Sequence, residues 1–180
     1  VMIEVTRRAT PVNEVTQVIH PVQTDRKKEL LEAILQKSNM HHTLVFTRTK
    51  ARANQLARVL EKSGHAVTAI HSNKSQIART RALAHFRSGK FDILIATDIA
   101  ARGLDVEGIS HVVNFELPDA PEDYVHRIGR TARAGASGNA ISLVAPQEHK
   151  KLAAIERLIR TSIKREPVTG FTVTTEALKL

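Results

Sequence analysis

Phe91-Asp92-Ile93-Leu94-Ile95-Ala96-Thr97-Asp98 is the stretch that decides the fold. From Phe91 to Ala96 it is nearly all apolar, and then it stops at a hydroxyl and a carboxylate. A strand with one wet face alternates apolar and polar residues. A near-continuous short apolar run bounded by turn signals suits a strand covered on both faces, as in a parallel sheet. Gly89 lies just before it, at the end of a helical pattern that Ser75 can cap and that runs to about Arg87.

The same alternation continues in both directions. Upstream, Val67 to Ile70 reads as a strand, preceded by a helix over Lys50 to Lys62. Ala53, Leu56, Ala57 and Leu60 recur in that helix at helical spacing, and Gly64 stands as its C-terminal cap. Thr43 to Phe46 and Val15 to Val22 read as strands, with a helix over Asp25 to Lys37 between them. Downstream, His111 to Phe115 and Ala140 to Val144 read as strands. Pro121 opens a helix through Arg127, with Glu122 and Asp123 in the first turn, where the helix dipole favours acids. Gln147 to about Ile163 reads as a last helix, and Pro167 to Leu180, without a period, as a loosely ordered extension. The expected fold class is α/β, a parallel sheet flanked by helices on both faces. Ligands of such sheets sit outside the carboxyl ends of the strands.

Composition narrows the classes. The chain has 180 residues, 42% apolar, enough for one domain with a core of its own. Aromatics make up only 3%, so Val, Ile, Leu and Ala must build that core. There is no cysteine, which excludes disulfides and thiolate metal sites. No apolar run approaches the ~18 residues of a membrane span, and a cytoplasmic location is the default expectation. The net charge is +9. A solvated basic surface and a polyanion partner both fit that excess. With so few aromatics, nucleic-acid contact would fall on the sugar-phosphate backbone rather than on stacked bases.

Four polar clusters follow the expected strands. The densest is His126-Arg127-Ile128-Gly129-Arg130-Thr131-Ala132-Arg133-Ala134-Gly135, three arginines at steps of three. Guanidinium forks match phosphate oxygens, and the two glycines put the arginines around a turn. A solvated basic turn is the bland alternative. Ala96-Thr97-Asp98-Ile99-Ala100-Ala101-Arg102-Gly103-Leu104-Asp105 follows the Phe91–Ala96 strand. Gly103 allows a close approach or a positive φ, and Asp105 has the chemistry to accept from a ribose. The bland alternative here is a capped turn with Asp98 as N-cap. His71-Ser72-Asn73-Lys74-Ser75-Gln76-Ile77-Ala78-Arg79 leads into a helix start, and Thr47-Arg48-Thr49-Lys50 closes a strand. No GxxxxGK[ST], GxGxxG or GxSxG occurs. His41-His42 has no third ligand nearby in sequence, and no metal site is expected.

In this order the clusters resemble the C-terminal half of DEAD-box ATP-dependent RNA helicases. LVFTRTK (44–50) is similar to motif IV, SQIAR (75–79) to the QxxR element, ATDIAARGLD (96–105) to motif V and HRIGRTARAG (126–135) to motif VI. The flanking text looks nearest to the bacterial RhlE-like subgroup. The resemblance spans roughly Val15 to Ile163. It implies a RecA-like domain that closes on an N-terminal RecA-like domain of the same protein, over ATP with Mg²⁺ held mainly by that first domain, and over RNA. It implies Arg130 and Arg133 as arginine fingers, and Gly103 and Asp105 beside ribose and phosphates. Thr49, Gln76, Arg79 and Thr97 would lie on the RNA backbone, and His126 and Arg127 would couple the domains. Residues 1–14 would be a linker, 15–163 the domain and 164–180 an extension. Without a P-loop the chain is expected to be inactive alone. The competing reading is a non-catalytic basic module that binds RNA or protein. Ala132 and Ser72 depart from the family, standing where glycine is usual.

Overall fold

The computed structural model describes residues 14–37, 40–104, 109–131 and 137–180. Its strands are β1 (Val15–Pro21), β2 (Thr43–Phe46), β3 (Val67–Ile70), β4 (Ile93–Ala96), β5 (His111–Asn114), β6 (Gly138–Val144) and β7 (Lys164–Arg165). They form one sheet in the order β3-β4-β2-β5-β6-β1-β7, and every pairing is parallel. The helices are α1 (Lys27–Lys37), α2 (Lys50–Lys62), α3 (Gln76–Arg87), α4 (Asp98–Ala101), α5 (Pro121–Ile128) and α6 (His149–Ile159). The fold class read from the sequence is the one observed.

The apolar strands divide their side chains between two cores. Val45, Ile93, Ile95 and Val113 face the helices α1 and α2, packing with Leu31, Ile34, Leu56 and Leu60. Their neighbours Leu44, Phe46, Leu94, Ala96 and Val112 face the other way, onto Phe86 of α3 and Ala100 and Ala101 of α4. Further along that second face, Ile19 and Val144 meet Tyr124 and Ile128 of α5 and Leu152 and Ile155 of α6. A strand alternates its faces residue by residue, so an all-apolar strand requires helices on both sides. Each fully buried Ile, Leu or Phe contributes about 1.5–3 kcal/mol.

Local chemistry sets the element ends. Ser75 Oγ accepts from Ala78 N at 3.1 Å and starts α3. Gly64 takes φ +91° just past α2 and Gly89 takes +83° just past α3, conformations an L side chain disfavours. At the carboxyl edge, the buried Lys27 ammonium donates to Phe115 O at 2.9 Å and to the Glu148 carboxylate. Glu148 in turn accepts from Leu117 N at 2.9 Å and Ala145 N at 3.1 Å. Burial lowers the Lys27 pKa, against the opposing pull of Glu148. The network fastens the loops after β5 and β6 to the start of α1.

The structure departs from the sequence reading at the C-terminal end. α6 stops at Ile159, not near Ile163, because Arg160 turns left-handed with φ 55°. Lys164 and Arg165 then add a seventh strand against Val18 and Ile19. The last stretch is not loose. Val168, Phe171 and Val173 pack on the α1 core, Arg26 lies 4.3 Å over the Phe171 ring, and Ala177 is fully buried.

Candidate nucleotide and nucleic-acid site

Helices α2, α3 and α4 begin directly beyond β2, β3 and β4, which are sheet neighbours. Their capping residues therefore stand side by side along one edge. Thr49 Oγ1 accepts from Arg52 N at 3.1 Å, and Thr97 Oγ1 accepts from Ala100 N at 3.5 Å. Each hydroxyl keeps a proton to donate outward. Gln76 opens α3 and its amide oxygen accepts from Arg79 Nη2 at 2.8 Å. The loop before α3 is held by His71, whose Nδ1 accepts from Asn73 N at 3.2 Å while Nε2 faces Asn54 Oδ1 at 2.9 Å. Burial first, then Lys74 and Lys50, lower the His71 pKa, which favours the neutral ring, and the backbone N–H at Nδ1 requires the proton on Nε2. Ser72 does not take a positive φ, so the backbone conformation there does not require glycine.

A second group of residues meets beside this row. A cavity of about 350 Å³ is lined by Gly103, Asp123, His126, Arg127 and Arg130, together with Phe46 and Asp98. Arg127 is almost wholly buried, at 1% exposure. Its Nε and Nη2 donate to the two oxygens of Asp98 at 2.7 and 2.8 Å. Its Nη1 donates to Asn114 Oδ1 at 3.1 Å and Glu116 O at 2.6 Å, and the guanidinium lies 5.0 Å over the Phe46 ring. Four of the five N–H donors of Arg127 are engaged within this ring of partners. Asp98 is thus not the N-cap of α4, which is Thr97, but the counter-ion of α5.

Arg130 stands just past the end of α5 and only partly buried. It donates through Nη1 to Leu104 O at 2.5 Å and through Nη2 to Ala101 O at 2.8 Å. A cation on the last carbonyl of a helix is favourable, and here it binds the α4 turn to the turn after α5. Gly103, between those two carbonyls, has φ +77° and nothing within 4 Å of where a Cβ would stand. His126 is exposed, with Nδ1 3.6 Å from Asp123 Oδ1.

Of the residues singled out from the sequence, Gly103, His126, Arg127 and Arg130 line one cavity. Thr49, Gln76 and Arg79 lie along the neighbouring row of helix starts, and Thr97 joins the two groups. Asp105, Arg133 and Ala132 lie outside the described residues. Asn114 and Glu116 were missed. The one signal for Asn114 is an amide closing an otherwise apolar strand, where it also donates to Ser142 Oγ at 3.1 Å.

Comparison with known proteins places this geometry. Residues 26–135 match the helicase conserved C-terminal domain. The DEAD-box ATP-dependent RNA helicase CshA of Bacillus subtilis is 40% identical over 163 residues, 91% of this chain and 33% of that protein. The chain thus spans about a third of the length of the curated relatives it matches. The DEAD-box protein SrmB of E. coli, solved bound to regulator of ribonuclease activity A, superposes with a TM-score of 0.81 at 33% identity. The match covers 89% of this chain and 97% of that one. Dbp5 of S. cerevisiae, solved with RNA and ADP BeF3, gives a TM-score of 0.80 at 31% identity over 88% of this chain and 43% of that one. The chain belongs to the helicase conserved C-terminal domain family, in the form that DEAD-box proteins carry.

Proposed function

We propose that this domain is the second RecA-like domain of an ATP-dependent RNA helicase that locally opens short RNA duplexes. It closes on an N-terminal RecA-like domain of the same protein, with the layout of a linker over 1–14, the domain over 15–163 and an extension over 164–180 that joins its sheet through β7 and packs back on its core. The observation that carries the reading is the shared cavity. Arg127 clamps Asp98 and thereby fixes α5 against α4, which sets Arg130 at the cavity beside Gly103.

Bound ATP supplies the phosphoryl group, and its Mg²⁺ belongs with the phosphates and the first domain. Among the described residues no group of three or more His, Asp or Glu converges on a metal position. The residue types suit a polyphosphate: a permanently charged Arg130, held at the cavity by Leu104 O and Ala101 O, a second arginine at position 133, and the open backbone of Gly103. Asp105 is assigned to the ribose. Arg130 and Arg133 stabilise charge that grows on the transferred phosphoryl group, an effect worth about 10³–10⁵ in rate. His126 reaches toward the first domain, and Arg127 acts by positioning. Thr49, Gln76, Arg79 and Thr97 offer donors to RNA phosphates and 2′-hydroxyls, contacts that carry little sequence information. The flanking sequence favours the RhlE-like subgroup, and a cytoplasmic site of action suits an RNA-directed enzyme.

The test is ATP hydrolysis by this chain, alone and joined to its first domain. The expected result is no RNA-stimulated turnover alone and restored turnover in the joined protein. Tight RNA binding by the chain alone, with no contribution to turnover when joined, would favour the non-catalytic binding module.

A further inference from the structure

The positive charge of this chain is not spread evenly. From Lys62 to Phe91 there are six cations (Lys62, Lys74, Arg79, Arg81, Arg87 and Lys90) and no Asp or Glu, in a chain whose net charge is +9. Four of the six fall on α3 or just beyond it. This helix packs against the β3–β4 end of the sheet, where β3 is the edge strand. Phe86, fully buried, anchors its inner side. The outer side carries Ile77, 74% exposed, with Thr80, Arg81, Ala84 and Arg87 also exposed. Steps of three and four residues place these in adjacent rows on one face. Ile77, Thr80, Arg81 and Ala84 line a shallow depression there with Gln76. Among the described residues, the side chains of Arg81 and Lys90 have no ion-pair or hydrogen-bond partner.

We propose that this outer face of α3 is a second RNA-backbone track, which continues the path beyond Gln76 and Arg79 down the flank of the domain. The proposal rests on the reading that RNA passes the start of α3. Gln76 and Arg79 sit at the carboxyl edge, and the helix leads from them toward the opposite edge. Twelve residues rise about 18 Å, long enough for several successive phosphates. α3 itself carries no acid to repel a phosphate, and uncompensated cations release counterions when they meet one. The small side chains Thr80 and Ala84 let a sugar-phosphate chain lie close, and Ile77 offers an apolar contact to a ribose or base edge. No aromatic occurs on this face, so the track holds the backbone without regard to sequence. Its use is to retain an RNA strand outside the site where the strand is bent, giving long RNAs an advantage over short ones.

The test uses the full protein that carries this domain, held closed by a non-hydrolysable ATP analogue. The RNAs are an oligouridine of about six nucleotides, which fills only the path at Gln76 and Arg79, and one of about twenty. Arg81→Glu combined with Lys90→Glu should weaken binding of the long RNA roughly tenfold at 0.1 M salt and flatten its log–log salt slope by about 1.4, the value for two single-strand phosphate contacts. Binding of the short RNA should not change, which also shows that the variant is folded. Long-RNA affinity equal to wild type, with short-RNA binding intact, would overturn the track and leave the RNA path at Gln76 standing. Equal loss with both RNAs would overturn it as a separate surface. If polyglutamate binding is lost while long-RNA binding survives, the face serves an acidic protein and the proposal fails. If the wild-type protein binds neither RNA, the underlying reading fails, and the track with it.

Discussion

Arg127 and Asp98 meet through two parallel hydrogen bonds, 2.7 and 2.8 Å long, across 29 residues of sequence. The pair joins the start of α4 to the last turn of α5. It is buried on the arginine side, where exposure is 1%, and partly wet on the aspartate side, at 24%. Together with the bonds of Arg130 itself to Leu104 O and Ala101 O, this joint holds Arg130 at the cavity.

Removing one partner leaves the other charge buried and unpaired. Asp98→Ala should therefore destabilise the domain by about 3 kcal/mol, since the guanidinium cannot leave its place between Phe46 and Asn114. Arg127→Lys should rescue little of that stability, because an ammonium cannot reproduce a planar two-bond contact. Urea denaturation of the variants measures both effects. A loss under 0.5 kcal/mol for Asp98→Ala would show that the pair is incidental.

Acid should weaken the fold through two histidines. Burial lowers the pKa of His71, with Lys74 and Lys50 adding to it, and burial alone lowers that of His111. A depressed folded value means that the unfolded chain binds protons first. Their contribution is present above the unfolded value of about 6.5 and is lost as pH falls through the lower folded values. Stability should fall as pH drops below about 6.5, and less steeply in a His71→Gln, His111→Gln double variant. Unchanged pH dependence in that variant would place the titration elsewhere.

Arg160 holds a left-handed conformation that costs a side chain and suits glycine. Arg160→Gly should raise stability by about 0.5–1 kcal/mol, seen as a higher denaturation midpoint at constant m-value. A lower midpoint would mean that the arginine side chain makes up for the strain.

The C-terminal stretch should behave as part of the domain. Phe171→Ala removes the ring under Arg26 and a contact on the α1 core, and should cost about 1.5 kcal/mol. Amides near Phe171, whose own N–H donates to Val168 O at 3.0 Å, should exchange slowly. Fast exchange throughout 166–180 would contradict the packing.

The sequence disclosed the sheet and most helices because apolar runs and helical periods are local signals. It failed where the signal was not local. Ile159 and Ile163 are four residues apart, so the helical row runs on in the sequence. In fact the chain turns at Arg160, and Ile163 reaches the same core from the start of the edge strand. β7 consists of a lysine and an arginine, and only its pairing with β1 makes it a strand. Val168, Phe171, Val173 and Ala177 have no period because they fill gaps in a surface made by other elements. At the site, the motifs marked which residues matter, but not their partners. Nothing in ATDIAARGLD shows that Asp98 answers Arg127, or that Asn114 completes the ring around the same guanidinium.

The measurement closest to the central claim is ATP hydrolysis by the two-domain protein carrying Arg130→Ala, followed alongside its RNA affinity. If Arg130 serves the transition state, kcat should fall by about 10³ while RNA binding stays within a factor of about two. A kcat close to wild type, or equal losses in hydrolysis and RNA binding, would contradict the account.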